Sequence, residues 1–397
     1  MLGVDLLLGV TVGLGLLGGL EYALHRRKLA SIPIRVHVNG TRGKSSVTRL
    51  IAAALREAGV VTCAKTTGTL ARMILPDGRE LPIFRPAGAN IIEQRRAVAF
   101  AASHRAEALV VECMALDPRL QALCELRLLR ATHGVITNAR PDHLDVMGPR
   151  PLDVARALAG TTPVRGKLYT AEQAHLPVLR AAAQDRKTKL IAIDDDQAEA
   201  CAGEVAARFS YTEHPENIAL ALRVCEDLGV EREVALRGMV KARPDPGALQ
   251  QYRLDFFGRR ITFVNAFAAN DPVSSEQIWK MALAEHPQMK RRIAVVNCRA
   301  DRPDRSVQLG RTLPTWEGAD RVVLMGSATH LFADAALAGG VDEAHLLNAE
   351  SMSTDEVFEQ ILSWVGDSAL VVGLCNAGGQ GLDLVRYFRN RAAPEDA

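Results

Sequence analysis

A chain of 397 residues, 48% of them apolar, has material for two or three domains with substantial cores and is not a disordered polypeptide. Its 48 Lys and Arg against 46 Asp and Glu leave a net charge of +2, which gives no reason to expect nucleic acid as a partner, and aromatic residues are sparse at 5%. Seven scattered cysteines, never spaced as C-x-x-C, point to reduced thiols in a cytosolic compartment and carry no zinc or disulfide signature.

The first predicted element is apolar. Leu6 to Leu20 is uncharged, bounded by Asp5 and Glu21, and followed by His25-Arg26-Arg27-Lys28. As a helix this run spans about 22 Å, short of a roughly 30 Å hydrocarbon core; extension from Leu2 to Leu24 suffices if Asp5 and Glu21 lie near the two interfaces. No basic stretch precedes the run and no A-x-A site follows it, so a membrane anchor fits better than a cleaved signal peptide. The basic cluster on its C-terminal side predicts the N-terminus outside and the rest of the chain on the cytoplasmic side of the cell membrane. A helix packed against membrane-protein partners, or part of a soluble core, is the alternative.

Ile34 to Val38 reads as a short buried strand, and Ser46 to Ala58 carries apolar residues at helical spacing. Between them lies Asn39-Gly40-Thr41-Arg42-Gly43-Lys44-Ser45-Ser46, a glycine loop where a strand hands over to a helix. Backbone N–H groups and a helix N-terminus converge there on an anion. Gly40 and Gly43 allow close approach of phosphate oxygens, Lys44 supplies a cation for the β and γ phosphates, and the Ser45 hydroxyl suits Mg²⁺. Thr41, Arg42 and Ser46 complete the nucleotide loop.

Further strands are predicted at Val60 to Ala64, Ala108 to Glu112, Gly134 to Thr137 and Leu190 to Ile193, with helices such as Ile91 to Ala102 and Pro118 to Leu129 between them. Apolar strands alternating with helices indicate an α/β fold with a mainly parallel sheet covered on both faces, and nucleotide sites at strand C-terminal ends. Leu109-Val110-Val111-Glu112 finishes in a carboxylate able to share a metal ion with Ser45; otherwise Glu112 is an exposed edge charge. Thr137-Asn138-Ala139-Arg140-Pro141-Asp142-His143-Leu144-Asp145 packs acid and imidazole into a loop after another apolar strand. The plainer reading has Asp142 capping a helix and His143 at the surface.

Lys241 to Gly247, with two prolines and a glycine, reads as an interdomain linker. Beyond it Ile261 to Asn265, Ile293 to Asn297, Val322 to Met325 and Ala369 to Gly373 form a second series of strands, and Arg391 to Ala397 is a polar, frayed tail. The predicted domains are therefore residues 1–30, 31–243 and 244–397.

Only Thr41 and Arg42 separate Gly40 from Gly43, where the usual P-loop has four residues. The short form resembles the ATP loop of the Mur-ligase superfamily, which includes peptidoglycan amino-acid ligases, folylpolyglutamate synthases and poly-γ-glutamate synthases. The segment ending Asp142-His143-Leu144-Asp145 is similar to that family's T-N-x-x-x-D-H-L-D element, which implies a second Mg²⁺ near His143. Glu213 to Ala221 resembles the H-N-x-x-N-x-x-A-A helix start that meets adenine, with Asn217 as the matching amide; the histidine is one residue out of step, so His214 is not carried over. Arg243 matches the interdomain arginine that reaches the γ-phosphate. Phe263 to Pro272 resembles D-Y-A-H-N-P-D-S, but the acidic nucleotide contact is replaced by Asn265, so that contact must be neutral or absent. Peptidoglycan ligases also carry a metal-bound lysine about fifteen residues beyond the first Asp of D-H-L-D; here the neighbourhood is Val154-Ala155-Arg156-Ala157-Leu158.

Lys65-Thr66-Thr67-Gly68-Thr69, Ala89-Asn90-Ile91-Ile92-Glu93-Gln94, Asn297-Cys298-Arg299-Ala300-Asp301-Arg302-Pro303 and Asn376-Ala377-Gly378-Gly379-Gln380-Gly381 resemble the poly-γ-glutamate synthase branch, the ligase subunit of capsule-type polymer machinery. The resemblance implies a Mur-ligase-like central P-loop ATPase domain and a C-terminal Rossmann-like domain behind an N-terminal hydrophobic helix. It also implies ATP-dependent amide formation between glutamate units through an acyl phosphate, with ADP and phosphate released and Lys44, two Mg²⁺ and Arg243 neutralising the transferring phosphoryl group. Glutamate and the growing chain, together with small membrane-protein subunits, are the implied partners, and homo-oligomers are left open. Arg85, Asn90 and Gln94 are candidates for holding glutamate, with Thr67 and Gly68 forming the adjoining loop; Arg85 otherwise is a solvated strand-end charge. A folate or cell-wall ligase and a membrane-tethered P-loop ATPase that energises export are the rival readings. No N-K-x-D motif follows the loop to support a GTP-binding regulator.

Overall fold

Residues Leu2–Ala30 form a single helix, α1, in a computed structural model that describes residues 2–68, 71–85, 88–205, 208–209, 213–244, 249–269 and 271–392. Thr69, Asn270, the linker residues 245–247 and the tail from 393 onward lie outside the described residues. From Val4 to Ala30 the helix is long and apolar enough to cross a membrane, and Leu6, Leu14 and Leu20 stay 71%, 65% and 57% exposed, so the run is not part of a soluble core. Only its last turns dock: His25 and Leu29 are buried, and His25 Nε2 lies 2.9 Å from the Leu128 carbonyl. The chain divides into two compact units, residues 1–245 and 246–397, and α1 belongs to the first.

The first unit strings together β1 (Ile34–Asn39), α2 (Lys44–Glu57), β2 (Thr62–Thr66), β3 (Arg72–Ile74), β4 (Glu80–Pro82), α3 (Ile92–Ser103), β5 (Ala108–Glu112), α4 (Pro118–Leu123), β6 (His133–Ile136), β7 (Lys167–Thr170) and β8 (Lys189–Ala192). Their sheet has the order β4-β3-β2-β5-β1-β6-β7-β8 and is parallel except where β3 and β4 run antiparallel. Its apolar strands need cover on both faces. Val47, Leu50, Ile51 and Leu55 of α2 close one face over Val36 and Val38, with the helix Pro215–Asp227 beside them; Val98 of α3 covers Leu109 and Val111 on the other, with Leu29 and Ile32. Register decides the site. Val38 pairs with Glu112 and Asn39 with Ile136, so the glycine loop, the strand-end carboxylate and the Thr137 loop emerge along one edge of the sheet.

The second unit contains β9 (Gln250–Phe256), β10 (Arg259–Asn265), β11 (Arg291–Cys298), β12 (Arg321–Gly326), β13 (Leu346–Asn348) and β14 (Ser368–Leu374), ordered β13-β12-β11-β14-β10-β9. All are parallel except β9, which returns antiparallel along β10. Trp279 and Phe332 centre the core on one face, and Phe263, Phe358 and Phe388 that on the other.

Three readings change in detail. β2 begins two residues later than predicted and runs through Lys65 and Thr66, both fully buried, because the lysine has a buried carboxylate partner. The helix predicted from Pro118 to Leu129 is α-helical only to Leu123 and then widens into a π-helix over Cys124–Leu129. Strands β3, β4, β7, β9 and β13 were not predicted; most are short or lie at sheet edges.

Candidate active site

The glycine loop is shaped by two residues no side chain could replace. Gly40 has φ +134 and a Cβ there would lie 2.0 Å from Thr137 Oγ1; Gly43, at the N-cap of α2 with φ +81, would meet Asn217 Oδ1 at 2.3 Å. Both close approaches come from elements the sequence had marked: the Thr137 loop grips the glycine loop from one side and Asn217 from beneath.

Asn138 provides much of that grip. Its backbone carbonyl accepts from Thr41 N at 3.0 Å, and its side-chain oxygen accepts from Thr41 Oγ1 at 2.6 Å and from Arg42 N at 3.1 Å. Thr137 Oγ1 donates to the Arg42 carbonyl at 2.5 Å. Arg42 Nη1 donates to Asp142 Oδ2 at 2.9 Å, so Asp142 is committed to the loop rather than to a helix cap. His143 follows directly, in left-handed backbone with φ 48, heading the short helix Leu144–Met147; its Nε2 lies 3.8 Å from Asp142 Oδ1.

The second half of the site is centred on Glu112. The carboxylate is buried rather than an exposed edge charge: Oε2 accepts from Ser45 Oγ at 2.8 Å and from Thr67 N at 2.6 Å. Hydroxyl and carboxylate oxygens at a phosphate-binding loop are hard donors that fit Mg²⁺, whose remaining positions phosphate oxygens and water can fill. No group of three or more His, Cys, Asp or Glu able to hold a metal occurs among the described residues, so the donor set stays small. Lys44 Nζ folds over the loop carbonyls, at 2.7 Å from Gly40 O and 3.2 Å from Thr41 O.

Of the glutamate-holding candidates, Gln94 is fully buried and its Nε2 donates to the Glu112 carbonyl at 3.0 Å; it supports the end of β5, while its Oε1 has no partner among the described residues. Arg85 makes a two-pronged contact with Glu93, at 2.7 and 2.9 Å, so it is not simply a solvated charge. Asn90 is exposed and its side-chain oxygen accepts from Ile92 N at the start of α3. Gly68 is exposed beside Thr67.

Several supporting residues were missed. Glu213 is buried and receives Asn217 Nδ2 at 2.7 Å, with the Ser46 hydroxyl also bonded to it; burial pushes its carboxyl up, so Asn217 is tied under the loop. Lys65 lies 3.2 Å from Glu93. Burial pulls the lysine down against the pull of Glu93; for Glu93, burial is outweighed by Arg85 and Lys65, which hold it below the usual range. Glu172 Oε2 accepts from Ala139 N at 2.7 Å and steadies the Thr137 loop. The spacing of Glu213 and Asn217, four apart at a helix start, was the one local signal; the others are long-range contacts.

Arg243 is exposed after the helix Arg232–Val240, where its carbonyl accepts from Arg49 on the second turn of α2 at 3.5 Å. In the second unit Asn265 ends β10 fully buried, and neither Oδ1 nor Nδ2 has a partner among the described residues. Nearby, two runs that carried the resemblance meet: Asn297 Nδ2 donates to the Asn376 and Gly378 carbonyls at 2.5 and 2.8 Å, and Arg305 Nη1 to Asn376 Oδ1 at 3.1 Å.

Residues 38–157 match the Mur ligase middle domain, and residues 251–391 match the poly-gamma-glutamate synthase CapB C-terminal domain. The chain is 40% identical over 377 residues to the capsule biosynthesis protein CapB of Bacillus anthracis, covering 94% of this chain and 80% of that protein. It is 38% identical over 371 residues to the PGA synthase CapB of Bacillus subtilis, covering 93% of each. The fold is that of Mycobacterium tuberculosis folylpolyglutamate synthase, solved with ADP and AMPPCP, at a TM-score of 0.68, 17% identity and coverage of 92% of this chain and 93% of that one.

Proposed function

The chain belongs to the poly-γ-glutamate synthase CapB family of Mur-type ligases, and on that premise we propose that it uses ATP to join glutamate units into poly-γ-glutamate. The observation that carries the reading is the 2.8 Å contact between Ser45 Oγ and Glu112 Oε2 beside the glycine loop, a paired hydroxyl and carboxylate where a nucleotide's metal ion belongs. A carboxylate of glutamate or of the chain end attacks the γ-phosphate to give an acyl phosphate and ADP. The amine of the next glutamate then displaces phosphate, leaving an amide.

The residues divide the work. Gly40 to Ser46 and the N-terminus of α2 hold the phosphates, and Lys44 and Arg243 offset the charge that builds on the transferring phosphoryl group. Ser45 and Glu112, with His143 near a second ion, would hold Mg²⁺, which supplies Lewis-acid stabilisation when bound. Asn217 and Asn265 are the nucleotide contacts in this reading. Thr67, Gly68, Arg85 and Asn90 lie with the glutamate that donates the carboxylate, Arg85 exchanging Glu93 for that carboxylate, while Gln94 holds the Glu112 backbone in place. α1 anchors the enzyme with both units on the cytoplasmic side, where small membrane subunits of a synthesis and export complex join it.

Glutamate labelled with heavy oxygen in its carboxyl groups tests the chemistry. Full-length protein with its membrane subunits, ATP, Mg²⁺ and labelled glutamate should place the label in released phosphate as oligomers form. Polymer formation with unlabelled phosphate overturns the acyl phosphate, and phosphate release indifferent to glutamate describes a tethered ATPase instead.

A further inference from the structure

A second polar site lies at the opposite edge of the first sheet from the glycine loop. The loop follows the C-terminal end of β1, whereas a cavity of about 580 Å³ opens where β1, β6 and β7 begin, against the last turn of α1. Arg26, Arg35, Arg130 and Arg165 line it, with the apolar side chains Leu126 and Val164 exposed at its rim. Arg35 forms the floor, its guanidinium donating to the carbonyls of Leu29, Ile32, Leu129 and Arg130. The π-helix ends at Arg130 and a turn places Arg165, both in left-handed backbone with φ 48 and 55; both are exposed and neither makes an ion pair among the described residues.

The cavity's acid does not cancel them. Glu125 is buried, with Oε2 on His37 Nδ1 at 2.9 Å and Oε1 on Ala131 N at 2.8 Å. Buried His37 is held up at about 9: burial works against the charge, but the Cys113 and Glu125 side chains outweigh it, so the Glu125 charge is met internally. Arg26, Arg130 and Arg165 therefore present net positive charge to the cavity mouth.

Depth on α1 identifies the occupant. Arg26 is six residues beyond Leu20, about 9 Å along the axis. Helical side chains point back toward the N-terminus, and Arg26 Nη1 reaches Tyr22 Oη at 3.3 Å, which brings the guanidinium within a turn of the apolar run. A headgroup layer is roughly 5–8 Å thick, so this guanidinium lies at its depth. Resting on the anchoring role read for α1, we propose that this cavity binds the phosphate of an anionic phospholipid headgroup from the cytoplasmic leaflet, with Leu126 and Val164 entering the interface beside it. Bound lipid fixes the roll of the catalytic unit about its anchor. The acidic polymer is the other polyanion at hand, but it offers nothing for the exposed apolar rim.

The test uses full-length protein in neutral detergent and counts retained lipid by native mass spectrometry. Phosphatidylglycerol should be retained over phosphatidylcholine. R130Q/R165Q should weaken it about thirtyfold, and R130K/R165K should restore it. Equal retention of the two lipids, undiminished binding in folded R130Q/R165Q, or displacement of the lipid by a γ-linked glutamate pentamer or by inorganic phosphate at equal concentration overturns the proposal. Flotation with pure phosphatidylcholine vesicles reads the anchor separately: failure there, with selective lipid retention intact, removes the anchor and leaves the headgroup site.

Discussion

Each unit ends an interior strand of its sheet in a buried asparagine, and the two are treated in opposite ways. Asn39, closing β1, donates to Gln121 Oε1 at 2.9 Å and to Thr161 Oγ1 at 3.2 Å and accepts from Gly40 N at 2.9 Å. Asn265, closing β10, is equally buried, yet neither amide atom has a partner among the described residues. An unmatched buried amide costs about 1–3 kcal/mol, so a fold that carries one at a strand end is either strained there or completed by something that binds. At the strand end beside the glycine loop the asparagine is fully matched within the first unit, whereas the one closing β10 has an amide unmatched among the described residues.

The harshest way to break that contrast is at the matched end. Lys44→Ala should lower glutamate-dependent ADP release by about 10³-fold or more with the fold intact by circular dichroism; wild-type turnover in this variant removes the nucleotide assignment. His143→Ala comes next, with turnover down about 10²-fold and ATP affinity changed little. A variant that turns over normally would leave His143 as the head of a short helix and nothing more.

The asparagines sharpen the contrast directly. Asn39→Ala strands its buried partners and should cost the first unit about 2–3 kcal/mol, a fall in Tm of roughly 5–10 °C. Asn265→Leu removes a group with no partner, so the second unit should melt within about 1 kcal/mol of wild type or higher, while nucleotide-dependent turnover falls. All three tryptophans, Trp279, Trp316 and Trp364, lie in the second unit, so their fluorescence assigns the two transitions. Full activity in Asn265→Leu would mark the orphaned amide as strain alone.

Why the sequence disclosed one half of this design and not the other is a matter of range. Ser45 was legible from the glycine loop that carries it and Glu112 as the polar residue ending an apolar run, and β1 and β5 pair side by side. Lys65 looked like the end of a strand because its buried partner, Glu93, lies 28 positions away. Asn138 and Glu172 act through contacts between segments far apart in the chain, which no local pattern encodes. β9 was missed for a different reason: as an edge strand it buries little of its length apart from Leu254, so its residues show no apolar run. The π-helix hides in a sequence whose apolar residues suit an α-helix equally well, and only the structure reveals the widened turn that carries Arg130.

The smallest effect expected is one of pH, and it again sets the units against each other. In the first, burial alone would keep His37 neutral, but Cys113 and Glu125 raise it from 6.5 to about 9. Its folded form binds the proton more tightly than the unfolded chain, so the stabilisation is complete below pH 6.5 and is lost as pH rises through about 9. His286 in the second unit is shifted the other way, chiefly by burial, and its contribution is lost as pH falls. His133, lowered to about 4 by burial and then Lys167, likewise affects the first unit only on the acid side. Between pH 6.5 and 9 the first transition should therefore fall relative to the tryptophan-reported one. His37→Gln should flatten that slope while lowering the first transition throughout, because the amide cannot carry the charge that Glu125 faces. Parallel movement of both transitions, or an unchanged slope in His37→Gln, would mean that the buried imidazole does not govern the alkaline limb.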